Sequence, residues 1–532
     1  MSRRCHAVAL VFPLLLVLLL SCGTKSWDDD ADEEVYPLLD RRTDEVLGWR
    51  EKDLLQPKIV AGEGREVRGE KPSRETQPDE GPLVLDLTKA LAIAVRQNRD
   101  YLAREESLYL SGLSYTLTRF NFSPQLSGTL GYLLSDAEDA VGSHAGNTSF
   151  SISQILPAGG SLSLTTSLAG LWPEGGKATG GESFNGSVGV NYTQPILRGG
   201  GYLVSHEALT QAQRNLVYAI RNFELFREDF SIDVASRFFD LVTQKTTLKN
   251  QQDRYDQAVF DRKKALALRS VERADDQAVF LAQRQENVAE NALISAAASY
   301  ERAKDEFKIL LGLPTTRSIR IIDEKPPFDP VRLDWDSAVE AARVNRLDIR
   351  TQEEQLEDSA RSLRIAEDAF LPDLNLTASY NLGGAGGSIP GALPDVWSYT
   401  AGLSLTIPLQ RKAERNSYIS ARISYVQAQR SFSETLDRLE LDIRAQLRDL
   451  RSIEDRIELQ KGQISQEERA VAVTRIRYEA GEVDNRDLLD ARQSLTDAKN
   501  ALISLQVQHF IGRLRLLRNL GLLFIDDNGK WR

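Results

Sequence analysis

The sequence predicts a mixed architecture, transmembrane β-barrel strands with very long α-helices, built from a duplicated helix, strands, long helix, helix unit and closed only as an oligomer. Three observations predict it. The chain matches itself in two halves, each half holds a helix too long for a compact domain, and the strands between helices carry one apolar and one small polar face. The 532 residues are 41% hydrophobic and 27% charged, which excludes a mostly disordered chain. Beyond the N-terminus no run approaches the roughly 18 apolar residues of a bilayer-spanning helix, and mean hydropathy is -0.34. A formal charge of -11 excludes a general nucleic-acid binder, so no nucleic-acid partner is expected.

Residues 1–21 read as a signal peptide. Arg3 and Arg4 form a basic start, Ala7 to Leu20 a short apolar run, and small Ser21 precedes Cys22. Leu19, Leu20, Ser21 and Cys22 resemble a bacterial lipobox, in which the cysteine is acylated after cleavage, so Cys22 is the expected lipidation site. Acylation leaves no cysteine pair for a disulfide, and packing must supply stability. Residues 22–81 are expected to be a flexible acidic tether, with Asp28, Asp29, Asp30, Asp32, Glu33 and Glu34 in one run and no sustained periodicity.

Self-comparison organises the rest. FSPQLSGTLGY from Phe122 matches FLPDLNLTASY from Phe370, and TQPIL ending at Leu197 answers TIPL ending at Leu409. Asn98 and Arg99 precede the first join as Asn345 and Arg346 precede the second, with one residue of slippage. Further on, AENAL from Ala289 answers AKNAL from Ala498, and LLG ending at Gly312 answers NLG ending at Gly521, at one shared offset. Repeat 1 therefore spans 82–312 and repeat 2 spans 335–525, with a linker at 313–334 and a tail at 526–532.

Helices are expected over 86–121, 205–268 and 275–312 in the first repeat, and over 335–369, 416–478 and 484–521 in the second. The longest of these would each reach roughly 95 Å at 1.5 Å per residue, beyond any compact domain. Leu436, Ile443, Leu450, Ile457, Ile464, Val471 and Tyr478 recur every seven residues, as do Val234, Leu241, Leu248 and Tyr255. That spacing implies supercoiled helix seams. On the helices alone a cytosolic coiled-coil rod is the competing reading, and for the whole chain a coiled-coil structural or adhesion protein of the cell envelope is the alternative.

The strands, about 125–194 and 373–407, decide against the rod. Leu126, Leu130 and Tyr132 alternate with Gln125, Ser127 and Thr129, and Leu374, Leu376, Tyr380, Tyr399, Leu403, Leu405 and Ile407 follow the same rule. Such alternation suits a soluble sandwich with one buried face or a barrel with lipid on one side and water on the other. The leader and the lack of any other partner for six apolar faces favour the barrel, with Trp172, Trp397, Tyr132, Tyr192 and Tyr380 as interfacial girdles. Long loops are expected at Ser135–Asn147, Pro173–Glu182 and Leu382–Asp395, and a tight turn at Pro157–Gly160. One chain has too few strands to close, so exposed edges demand oligomers.

These features together resemble the TolC-like outer-membrane efflux family. The duplicated order, the Pro124 and Pro372 joins, TQPILRGGG from Thr193 and YEAGEVDNRDLLDARQSL from Tyr478 carry the likeness. The resemblance implies a homotrimeric exit duct in the bacterial outer membrane, a transmembrane β-barrel continuing into a long periplasmic α-helical barrel, with outer-membrane lipid, a periplasmic adaptor and an inner-membrane transporter as partners. The hairpin at Ala158–Gly160 leaves either about 12 or about 18 strands per trimer. The resemblance also implies Asp487 and Asp490, with Tyr478 and Arg486, at a periplasmic gate, and Gly481, Glu482 and Val483 at an adaptor-docking tip. Helix chemistry is the competing account of the acids, with Asp484 as N-cap and Asp487 in the first turn. The first-copy tip, Arg269–Asp276, lacks the glycine found at Gly481, which weakens the docking expectation there.

No catalytic residues, cofactor or metal site are expected, and the chain reads as a non-enzyme. His144, His206 and His509 lack ligand spacing and read as loop or surface residues. The clusters Gly199–Gly201 and Gly383–Gly387 read as bends or loops rather than phosphate cradles.

Overall fold

The computed structural model describes residues 24–48, 81–137, 140–173, 181–272, 275–323, 326–480, 482–483, 485–526 and 528–531. The expected leader, Cys22, residues 49–80 of the expected tether, Gly481 and Asp484 lie outside them. Two bodies hold the described chain. Of the described residues, one body draws on those within 24–42, 109–219 and 351–433, the other on those within 43–108, 220–350 and 434–531.

The duplication is visible element by element. Helices α2 (Leu87–Gln97) and α3 (Arg99–Phe120) answer α7 (Trp335–Asn345) and α8 (Leu347–Asp368), with 11 and 22 residues in both pairs. The expected single helices over 86–121 and 335–369 are thus each divided. Asn98 turns extended and caps both ways. Its own N–H reaches back to the Ala94 carbonyl, while its side-chain oxygen accepts from the Tyr101 N–H at 2.8 Å and its amide donates to the Leu310 carbonyl at 2.7 Å. Arg346 divides the second pair in the same way, its N–H returning to the Ala342 carbonyl. Asn98 therefore stands where Arg346 stands, and the expected one-residue slippage is absent from the structure.

The long helices are α5 (Glu207–Ser270, 64 residues) and α9 (Lys412–Glu479, 68 residues), preceded in the first copy by the short α4 (Tyr202–Ser205). Each copy ends in a 35-residue helix, α6 (Asp276–Leu310) and α10 (Asn485–Asn519). On α9, Ile443, Leu450 and Ile457 of the expected heptad seam are buried, joined by Leu439 and Leu447. In the second body the core is aromatic. Phe238 and Phe239 of α5 meet Phe307 of α6 and Phe510 of α10, at ring separations of 6.2 and 5.3 Å. Burying each such ring contributes about 1.5–3 kcal/mol.

Gly312 and Gly521 close the two copies alike. Their φ values are 73° and 68°, and a Cβ would fall 2.0 Å from the Gln97 carbonyl oxygen or 2.7 Å from that of Asn345. Only glycine combines the left-handed turn with that approach.

Several segments expected to be plain connections are structured. Residues Thr24–Leu47 form helix α1, which corrects the flexible tether over that stretch. In the first body Val35 and Leu39 of α1 are fully or almost fully buried, Tyr109 of α3 donates to Asp32 at 2.6 Å, and Gly112 admits the Val35 side chain. In the linker, β6 (Ile319–Ile321) pairs in parallel with β1 (Leu83–Leu85). The tail turns back through Ile525 and Trp531, and Arg227 donates to the carbonyls of Ile525 and Asp526.

Two histidines also differ from expectation. His509 is fully buried, with Nε2 3.0 Å from Glu454, whose carboxylate also accepts the Val331 N–H at 2.8 Å and so pins the linker. His206 is buried between the rings of Tyr202 and Phe122. Neither is a surface residue.

The remaining strands form one six-stranded antiparallel meander in the first body: β2 (Gln125–Ala137), β3 (Ala140–Ile155), β4 (Ser161–Pro173), β5 (Ser183–Pro195), β7 (Asp373–Gly386) and β8 (Val396–Thr406), in that order. The β3–β4 hairpin lies within the ladder, turning tightly at Pro157–Gly160 with the Leu156 N–H on the Gly160 carbonyl. The expected loop Ser135–Asn147 is instead mostly strand, paired out to Ala137 and Ala140, and strand β7 takes the first residues of the expected loop Leu382–Asp395.

Candidate functional site

Alternation and register combine in the sheet to give unbroken rows. Leu126, Ile152, Leu164, Val190, Tyr380 and Tyr399 stand opposite one another across all six strands. On the same face, Gly128, Phe150, Thr166, Val188, Leu382 and Trp397 form the adjoining row. The other face carries Ser127, Ser151, Thr165, Gly189, Asn381 and Ser398, then Gln125, Ser153, Ser163, Asn191, Ser379 and Thr400. Hydroxyls on that face bond across strands, Ser127 to Ser151 and Ser167 to Ser187, both at 2.7 Å.

A slip of one residue at any pairing would mix the two faces, so the register is fixed by the same pattern it displays. The polar rows contain no charged side chain. They can wet a surface without holding an ion on it. The apolar rows offer water little beyond the hydroxyls of Thr166, Tyr380 and Tyr399, and Leu126, Tyr399 and Leu403 are each about two-thirds exposed on this chain. Among the described residues β2 and β8 have a single strand neighbour each, which leaves one edge of each strand without a ladder.

The joins of sheet to helix in the first body are held by specific polar contacts. Gly199 and Gly201, with φ 77° and 90°, make the bend expected of that cluster, and the Gly199 N–H donates to Asp368 at 2.8 Å. Arg411 donates to the Phe370 carbonyl at 3.0 Å. Below the joins, Asp358 of α8 is buried and accepts from the Tyr218 hydroxyl at 2.7 Å while pairing with Arg214 and Arg361 at 3.1 and 2.9 Å. Burial, followed by the bond to Asp358, pushes the Tyr218 phenol well above its ordinary value.

The second body carries the helix tips. Asp487 falls in the first turn of α10, and Asp490 lies three residues on; both are exposed, whereas Leu488 between them is buried. Arg486 sits 3.9 Å from Asp490 along the same helix. Tyr478, at the end of α9, receives a hydrogen bond from Lys264 of α5, whose ammonium lies 4.0 Å from the ring centroid. The structure thus brings Arg486 to Asp490 and Tyr478 to Lys264. Lys264 was missed in the sequence because its partner lies 214 positions away. The nearby ion pair of Arg262 with Glu286 was missed for the same kind of reason. Glu482 pairs with Arg477 at 3.3 Å, and Val483 is half-buried.

At the other tip Asp275 caps α6 by accepting the Ala278 N–H at 2.8 Å, and Arg269 pairs with Asp276 at 2.7 Å. The shared offset places Ala278 and Leu281 where the second copy has Asp487 and Asp490. Acids of this kind mark one tip only. Among the described residues no three His, Cys, Asp or Glu side chains gather as a metal site, and no helix is long and apolar enough to cross a membrane.

Comparison with known proteins bears on both parts. The family model of the outer membrane efflux proteins matches residues 338–522, most of the second repeat. No curated protein matches the chain by sequence. Among solved structures, the CusC channel is similar at 15% identity and TM-score 0.61, over 84% of this chain and 95% of that one. The outer membrane protein VceC of Vibrio cholerae is similar at 17% identity and TM-score 0.61, over 82% and 96%. The CmeC outer membrane channel of Campylobacter jejuni is similar at 15% and 0.60, over 82% and 85%. At these identities the likeness establishes the fold. The resemblance read from the sequence is borne out.

Proposed function

We propose that this chain, which carries the outer membrane efflux protein pattern over residues 338–522, is the outer-membrane exit duct of a tripartite efflux or type I secretion system. It is a passive conduit rather than an enzyme, opened by a periplasmic adaptor and an inner-membrane transporter. The observation that carries this reading is the pair of rows across the sheet. One face is apolar from Leu126 to Tyr399, the other small and polar from Ser127 to Ser398. Lipid is the medium that suits the first and a water-filled pore the second.

The open edges of β2 and β8 call for other copies of the chain. Unpaired backbone groups in hydrocarbon cost several kcal/mol each, so the sheet must close through other copies. Three sheets of six strands give a barrel of about 18, within the known range and wide enough to leave an aqueous lumen. Trimerisation also covers apolar helix residues such as Leu110, Leu117, Ile419 and Ile423, which a single chain leaves exposed. Acylated Cys22 anchors each chain in the outer membrane, with the duct extending into the periplasm. Asp487 and Asp490, with Tyr478 and Arg486, line the periplasmic gate, and the tip at Gly481, Glu482 and Val483 meets the adaptor.

The test is electrical and hydrodynamic. Protein purified in detergent is expected to run as a trimer and to give discrete conductance steps in planar bilayers. A monomer soluble without detergent, or trimers that never conduct, would return the chain to the class of envelope coiled-coil proteins.

A further inference from the structure

The segment joining β7 to β8 has an unusual position for a loop expected in water. Its one charged residue is Asp395, next to the start of β8, whereas the other long connections contain Asp136, Glu138 and Asp139, or Glu174, Lys177 and Glu182. It makes a short helical turn at Pro390–Ala392 and folds back onto the sheet, with the Asp395 N–H on the Gly383 carbonyl at 3.1 Å. The face it covers is fixed by register. Gly186 is paired with Gly384, and Phe184 with Gly386, two and four positions along from the Val188–Leu382 pair, hence on the apolar face.

Those glycines form a shelf. A Cβ on Gly384 would lie 2.1 Å from the Leu393 carbonyl oxygen, one on Gly186 would lie 2.3 Å from that of Ala392, and one on Gly386 would lie 2.5 Å from that of Gly391. The loop backbone occupies the space that side chains fill elsewhere in these rows. Phe184, edge-on to Trp172 at 5.4 Å, is buried beside it, yet Ile389 and Leu393 of the loop itself remain 55% and 67% exposed.

We infer that residues 387–394 are a lipid-contacting flap, folded outward over β5 and β7 so that Ile389 and Leu393 enter the bilayer at the level of the Trp172 and Trp397 girdle instead of capping the pore. The inference rests on the reading of the apolar face as lipid-facing. A lipid surface suits the flap because it continues that face without a charge, and because its bed is β5 and β7 rather than the open edge of β8, where a second copy would bind. Apolar residues on an uncharged segment partition into the boundary between headgroups and acyl chains, and the backbone polar groups of the turn remain at headgroup depth.

The test places a fluorophore on Leu393→Cys in the full chain, reconstituted in vesicles of phosphatidylethanolamine and phosphatidylglycerol. The wild-type chain, whose own cysteines are Cys5 and Cys22, is carried through labelling as the blank. Nitroxide lipids labelled near the headgroup are expected to quench severalfold more strongly than aqueous iodide. Ile389→Cys repeats the measurement should the first variant fold poorly. Adding Gly384→Val should expel the flap and reverse the ratio; an unchanged ratio would overturn the shelf. Leu164→Cys and Ser163→Cys serve as references for the two faces. Iodide quenching at Leu393 with lipid quenching at Leu164 would overturn the flap and leave the duct standing. Quenching by neither agent would mean a protein neighbour covers the site, which also overturns it. Loss of lipid quenching at Leu164 would remove the duct reading and the flap together.

Discussion

At the scale of single residues, the first helix tip accepts backbone strain at Glu272. Glu272 has φ 58°, the one positive value among described residues other than glycine. The offset relating Gly312 to Gly521 places Gly481 at the same position of the second tip. A left-handed residue with a Cβ costs roughly 1–2 kcal/mol, partly returned as lower unfolded-chain entropy relative to glycine. Glu272→Gly should therefore stabilise the protein by about 0.5–1 kcal/mol, read as a higher thermal midpoint in detergent. A lower midpoint would mean that the carboxylate does something the backbone argument omits. Asp348 gives a pH signature. Burial opposes its ionisation, but hydrogen bonds and charge from Arg346, the Ile349 N–H and the charge of Arg518 outweigh that and hold its carboxyl below the usual aspartate value. A depressed folded value means the stabilisation is complete above the unfolded value of about 3.9 and is lost as pH falls below it. Wild type should thus lose its stability advantage over Asp348→Asn as pH drops from about 5 to below 3, with a constant gap from neutral pH down to that window. A gap that ignores acid would show the Arg346 contact to be energetically idle.

At the scale of elements, what the sequence made legible was periodic. Alternation identified the strands, and the face assignment of Leu126, Leu376 or Tyr399 follows from parity alone, so the observed register repeats it. The heptads of α9 are legible for the same reason. What escaped has no period or is too short to show one. β1 and β6 are three residues each and exist through their pairing. The division of a helix at Asn98 is accompanied by a hydrogen bond to Leu310, 212 positions away, and α1 is helical despite its acids and Pro37 because Val35 and Leu39 are buried. The buried His509 is likewise a product of tertiary structure, since Glu454 and the linker surround a residue whose sequence neighbours give no hint. Register also makes a prediction that propensity cannot. Ile152→Lys places a cation in the apolar row and should cost about 2–4 kcal/mol in a folded membrane-inserted protein. Ser151→Lys, one residue away on β3, should be tolerated. The folded fraction recovered in lipid vesicles reads the contrast, and equal losses would show that the two faces do not meet different media.

At the scale of the whole molecule, the two copies are unequal, and the inequality points to how an assembled duct would select what enters it. Only the second tip presents Asp487 and Asp490; the matching positions of the first are Ala278 and Leu281. Leu488 is buried between the two acids, which turns both carboxylates to solvent, and the pairing of Arg486 with Asp490 along an exposed helix face is too screened to cancel their charge. Three chains would bring two such carboxylates each to one opening, where a constriction with low-dielectric walls concentrates their field and raises the local cation concentration. Helix chemistry alone predicts something different, a modest stabilisation by Asp487 in the first turn and no effect on permeation. Conductance separates the two accounts. In Asp487→Ala/Asp490→Ala trimers the preference for cations over anions should fall severalfold and block by multivalent cations should weaken. Both effects should be largest at about 0.1 M salt, where charges act over roughly 10 Å, and should fade toward 1 M, where the range is about 3 Å. Selectivity that is unchanged at low salt, in channels that still conduct, would assign the acids to the helix and leave the gate to be sought in the contact of Tyr478 with Lys264.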